Sequence, residues 1–174
     1  MNIDNTDGSL QVLTGVDGVA ARMGHRLTLT VQRWQAEVGF DGDRPSRVTL
    51  TADIDSLIVV SGEGGVTPLT APERLIARSN ALKSLQTSRF PAITFDAETV
   101  EPSSDGYRLS GTLEIHGTRR EHVVDVAVTD RISGRSQVRQ TDFGIKPYSL
   151  MMGSLRVADA VTVVFDASAA GRPR

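Results

Sequence analysis

Three histidines are the side chains in this sequence best suited to chemistry: His25, His116 and His122. His116 and His122 flank the turn Gly117 to Arg120, so they fall on neighbouring strands with no third ligand near them in sequence. A structural zinc site takes four ligands and a catalytic one three, so this spacing does not describe a metal centre. There is no cysteine, which excludes disulfides, thiolate metal sites and a cysteine nucleophile. Motifs for a serine hydrolase, a zinc protease or a phosphate loop are missing, and the run Gly62-Glu63-Gly64-Gly65 lacks the Lys-Ser/Thr that a phosphate loop requires. The expectation is a protein that is not an enzyme, with no cofactor and no metal. What remains is binding chemistry. His25 could orient a polar head group or serve as a hydrogen-bonded structural histidine. Arg26 and Lys146 could hold an anion at the mouth of a cavity. Met151 and Met152, in a loop after Pro147, could line a portal for a flexible chain or simply cover one end of the fold.

The elements that must position these residues are mostly strands. Val48, Leu50, Ala52 and Ile54 alternate with Thr49, Thr51, Asp53 and Asp55, the mark of a half-buried antiparallel strand. Leu109, Gly111, Leu113 and Ile115 repeat the pattern, followed by Val124, Val126 and Val128, and later by Val161, Val163, Phe165 and Ala167. Further strands are expected at about 9–16, 19–23, 92–100 and 135–143, and the last strand over about 155–169. One run changes parity: Leu27, Leu29 and Val31 are odd, whereas Trp34, Ala36, Val38 and Phe40 are even. A period of two cannot do this without a bulge or sharp bend near Gln32-Arg33. Thr70-Ala71-Pro72-Glu73 reads as a capping box with an early proline, and Leu75, Ile76, Leu82 and Leu85 follow at roughly helical spacing. The expectation is therefore an all-β, closed or nearly closed antiparallel barrel of about eight strands, with one short helical insertion near 71–87.

At 174 residues the chain is read as one domain spanning 1–174. A formal net charge of −2 and scattered arginines argue against a nucleic-acid partner. No apolar run approaches the ~20 residues of a membrane span, and the polar, acidic start Met1 to Asp7 is unlike a signal peptide, so a cytoplasmic location without stable membrane insertion is expected. A homodimer is compatible with exposed barrel faces, though no outer apolar stripe argues for one.

Several segments, in order, resemble the YceI-like family. They are Ala21 to Leu27 with its histidine, Leu82 to Phe95 with Pro91-Ala92-Ile93-Thr94-Phe95, Ser110 to Thr118 with Gly111, Leu113, Ile115 and Gly117, and Asp142-Phe143-Gly144-Ile145. They cover about 11–167. The turn His116-Gly117-Thr118-Arg119-Arg120 departs from the commoner Gly-Val-Thr form of the family. The resemblance implies a lipocalin-like barrel that binds polyisoprenoid or other long-chain lipids. Its apolar tunnel would be lined by Trp34, Val38, Phe40, Leu50, Ile54, Phe95, Leu113, Ile115, Val126, Val163 and Phe165, with His25, Arg26, Lys146, Met151 and Met152 at the head group or mouth. The expected partner is a lipid, polyisoprenoid, isoprenoid quinone or fatty-acid derivative, to be sequestered or transferred. Periodicity alone does not distinguish a hollow barrel from a filled one, although the 5% aromatic content leaves few bulky fillers. Two alternatives stay open: an enzyme acting on an isoprenoid-type substrate in the cavity, and a filled barrel acting as a stress-response or structural interaction module.

Overall fold

The computed structural model describes residues 1–170. In chain order the elements are β1 (Asn2–Asp4), β2 (Gly8–Leu13), β3 (Val16–Asp17), β4 (His25–Val31), β5 (Trp34–Asp41), β6 (Arg44–Asp53), β7 (Leu57–Gly64), α1 (Ala71–Leu85), β8 (Ala92–Pro102), β9 (Gly106–Ile115), β10 (Thr118–Val128), β11 (Arg131–Arg139), β12 (Ser149–Leu150), β13 (Leu155–Val157) and β14 (Ala160–Ser168). Eleven strands form one antiparallel sheet in the order β1-β5-β6-β8-β9-β10-β11-β14-β2-β4-β7, and β12-β13-β3 form a small second sheet. The class is the expected one, but the number of strands is larger than eight because bends divide the long strands. Residues 19–23 are not a strand: Ala21–Met23 form a single 3-10 turn. The strand expected over 135–143 ends at Arg139, where Gln140–Phe143 make another 3-10 turn, and the last apolar stretch splits into β13 and β14.

The parity change at Gln32-Arg33 is what curls the sheet. Leu29 and Val31 are buried before it, and Trp34 and Ala36 after it. β4 lies second from one end of the sheet and β5 second from the other, yet only two residues separate them. β6, third from one end, and β7, the last strand at the other, are likewise joined directly, across the 3-10 turn Ile54–Ser56. This bent hairpin belongs to both ends of the sheet and so brings them together. Ser56 holds the corner: its hydroxyl donates to the Asp53 carbonyl (2.6 Å) and accepts from the Arg33 amide (2.9 Å). Ser56 is the one buried polar residue among those described, and both hydrogen-bonding roles of its oxygen are used there.

α1 begins with a complete capping box. The Glu73 amide donates to the Thr70 hydroxyl, and the Thr70 amide donates to the Glu73 carboxylate. It ends at Gln86 in the left-handed region (φ 49°). The helix lies along β7, where the Arg78 guanidinium donates to the carbonyls of Leu57 and Asp55 (both 2.6 Å). Ala77, Ala81, Leu82 and Leu85 pack on the core, whereas Leu75 and Ile76 of the expected apolar stripe stay 70% and 60% exposed. On the outer face the arginines meet carboxylates of adjacent strands: Arg108 with Asp125, Arg119 with Glu114, Arg47 with Asp96 and Arg131 with Asp166. Their scatter along the sequence is thus a set of cross-strand ion pairs, individually worth little on an exposed surface.

Candidate functional site: a cavity along the barrel

Two groups of buried side chains sit inside the barrel. One gathers at the bent corner around Leu29, Val31, Trp34, Ala52, Ile54 and Leu57. The other, Leu113, Ile115, Val138, Phe143 and Ile145, closes the end near the β9–β10 hairpin. Val163 packs against both groups, and so does Ile93. Between and beside them runs a cavity of about 910 Å³. It is lined by inward residues from most of the barrel strands and by Ala77, Asn80, Ala81 and Ser84 of α1. At one end it reaches Phe40, Asp43 and Pro45; at the other it reaches Met23, His25, Val66, Ile76 and Leu150. Several wall residues, among them Leu50, Phe95, Val126, Val163 and Phe165, are only half-buried although they point inward, because they face this open space.

Ten of the eleven proposed tunnel residues line the cavity: Val38, Phe40, Leu50, Ile54, Phe95, Leu113, Ile115, Val126, Val163 and Phe165. Trp34 does not. It is buried in the corner, edge-on to Phe165 with ring centroids 5.2 Å apart. The bend turns this side chain into the packed corner, so parity with Val38 and Phe40 does not carry it into the open channel. Of the five residues considered for the mouth, only His25 lines the cavity. It shares parity with Leu27, Leu29 and Val31, while Arg26 points outward and faces Glu63 across 3.8 Å. Lys146 is exposed beside buried Ile145, and Met151 and Met152 are exposed just past Leu150.

The His25 Nε2 atom lies 2.7 Å from the Thr67 carbonyl oxygen. A carbonyl only accepts, so Nε2 donates this hydrogen bond. Gly65, at φ 75°, lets the loop fold across the imidazole; a Cβ there would collide with the ring. His116, by contrast, belongs to the hairpin. Its ring lies 4.8 Å from that of Phe90, and its Nδ1 donates to the Phe143 carbonyl at 3.3 Å.

His122 is the residue that sequence reasoning missed. Its spacing from His116 in the sequence suggests only a metal ligand, yet it shares parity with Val124, Val126 and Val128, and all four line the cavity. Its Nε2 is hydrogen-bonded to the Ser136 hydroxyl (2.7 Å), and its ring stands edge-on to Phe95 at 6.2 Å. Burial holds its pKa below the ordinary histidine value, so the ring faces the cavity neutral at pH 7. The pair exists because two strands part. β10 is in register with β9 from Thr118 to Ala127 but with β11 only from Val126 to Val128. Beyond those rungs the two strands diverge, and His122 and Ser136 bridge the gap. Among the described residues no group of three or more histidines and carboxylates is placed to hold a metal.

Comparison with known proteins places this architecture. The structure of BcnA from Burkholderia cenocepacia is similar with a TM-score of 0.69 at 17% identity, covering 94% of this chain and 97% of that one. The Campylobacter jejuni YCEI protein gives 0.58 at 17% identity, covering 81% and 82%. A polyisoprenoid binding domain from Saccharophagus degradans, implicated in plant cell wall breakdown, gives 0.54 at 13% identity over 92% and 94%. At such identities the likeness is one of fold. No curated protein sequence matches the chain significantly. A model of the YceI-like domain matches residues 2–169, nearly the whole barrel, and the chain belongs to the YceI-like family.

Proposed function

We propose that this protein binds a long apolar chain, of the isoprenoid or fatty-acyl type, in the barrel cavity and carries it as a sequestering or transfer protein. The observation behind this reading is the largely apolar cavity of about 910 Å³. It lies at the upper end of the usual range for small-molecule sites. At roughly 30 Å³ per water-sized group it has room for a chain on the order of 30 carbons. The polyisoprenoid binding domain of similar fold supports the same class of ligand.

The energetics favour long chains. Burying each methylene contributes roughly 0.8 kcal/mol, so about twenty give a gross ~16 kcal/mol. Loss of overall motion and chain ordering offset roughly half of that, which leaves a dissociation constant in the micromolar range. A chain of about ten methylenes would barely bind by the same reckoning. The cavity-facing polar groups then orient the ligand: His25 at one end offers its ring, and the hydrogen-bonded His122–Ser136 pair offers a polar station within the largely apolar wall.

Native mass spectrometry of protein purified without heating or detergent tests the reading directly. A mass increment matching a lipid is expected, as is saturable uptake of a long-chain fluorescent fatty acid. If the protein is empty and nothing long and apolar titrates into it, the proposal fails.

A further inference from the structure

Twelve large apolar side chains stand exposed among the described residues. Eight of them gather at the end of the barrel where β4 begins and β7 ends. Six are Val19 (96% exposed), Met23 (51%), Val66 (77%), Ile76 (60%), Leu150 (49%) and Met152 (107%), and the other two are chain neighbours of Ile76 and Met152. Four of the six also line the cavity, so the exposed apolar surface runs without interruption into the interior. A patch of this kind marks a place of contact.

The rim is built firmly. Leu150 lies in β12 of the small sheet β12-β13-β3, and the loops next to that sheet hold Val19, Met23 and Met152. The Ala20 amide donates to the Ser154 carbonyl at 2.8 Å, which ties the two loops together. The Ser154 hydroxyl donates to the Met151 carbonyl at 2.7 Å. Met152 sits in the left-handed region (φ 56°), with its side chain held out into solvent.

Charge points to the occupant. Within four residues of these side chains along the chain lie six basic residues (Arg22, Arg26, Arg74, Arg78, Lys146 and Arg156) against three carboxylates. Arg156 meets Asp17, Arg26 meets Glu63, and Glu73 is engaged in the helix cap. This end is therefore cationic although the whole chain is −2. We propose that the rim docks reversibly on the surface of an anionic bilayer, with its apolar side chains among the acyl chains and its arginines at the head groups. An apolar ligand then passes between bilayer and cavity without crossing water. This inference rests on the reading of the cavity as a lipid site.

The test is co-sedimentation with vesicles of phosphatidylcholine alone and of phosphatidylcholine mixed with phosphatidylglycerol, using wild type and the double variant Val19→Asp, Met152→Asp. Both positions are solvent-exposed, so circular dichroism and Tm should not change. Wild type is expected to sediment with the mixed vesicles, less so as salt is raised, and the variant to lose partitioning by at least about tenfold as two apolar anchors become charges. Wild type that stays in the supernatant with both vesicle types, or a variant that binds like wild type, overturns the proposal. Uptake of a fluorescent fatty acid in vesicle-free buffer separates this from the cavity reading. Equal uptake by both proteins leaves the cavity intact whatever the vesicles show, and no uptake by either removes the cavity reading instead.

Discussion

Val163 lies midway along β14, faces the cavity and touches both groups of buried side chains. Replacing it with phenylalanine keeps a good strand former and adds about four heavy atoms inside the barrel, each displacing about one ligand methylene. At roughly 0.8 kcal/mol per methylene the loss is ~3 kcal/mol, or about 200-fold in Kd for a chain long enough to fill the channel. A chain short enough to sit to one side of the ring should lose little. Fluorescence displacement with fatty acids of increasing length measures this, and the expected result is a penalty that grows with length and then levels off. Thermal unfolding without lipid gives an independent readout. In a hollow barrel the ring enters free space and Tm holds or rises. In a solid core, overpacking would cost about 1–3 kcal/mol and lower it. Equal loss for every chain length, or a clear fall in Tm of the lipid-free protein, would refute the idea of a continuous open channel past β14.

Other outcomes follow from the same geometry. Ser56→Ala strands the Arg33 amide at the buried corner, so stability should fall by about 1–3 kcal/mol, read as a lower urea midpoint with an unchanged slope. Thr70→Ala removes the capping box and should cost about 0.5–2 kcal/mol, with faster amide exchange in the first turn of α1. The folded-state pKa of His122 is depressed by burial. Its contribution to stability is therefore complete above the unfolded value of about 6.5, and it is lost as pH falls through that value toward the folded one. Urea midpoints from pH 7.5 down to about 5 should show this loss, and His122→Phe should flatten that part of the profile.

Much of this protein was legible from its residues. The period-two runs gave the strands and their inward faces, since a pleated strand must alternate and the buried face must be apolar. Thr70-Ala71-Pro72-Glu73 announced α1, and the parity change at Gln32-Arg33 announced the bend, because both are local rules of the backbone. The order of the motifs also pointed to the family. Where those rules stop, only the tertiary structure decided. Whether Trp34 packs the corner or lines the channel depends on how far the bend rotates it against Phe165. That Leu75 and Ile76 face solvent depends on where α1 is laid against β7. His122 became a cavity residue because β10 and β11 pair only from Val126 to Val128 and are apart over the stretch before it, a matter of how the sheet closes. Above all, alternation records which side chains point inward but not how far apart the opposing walls stand. The cavity exists because eleven strands curl around more space than their inward side chains fill.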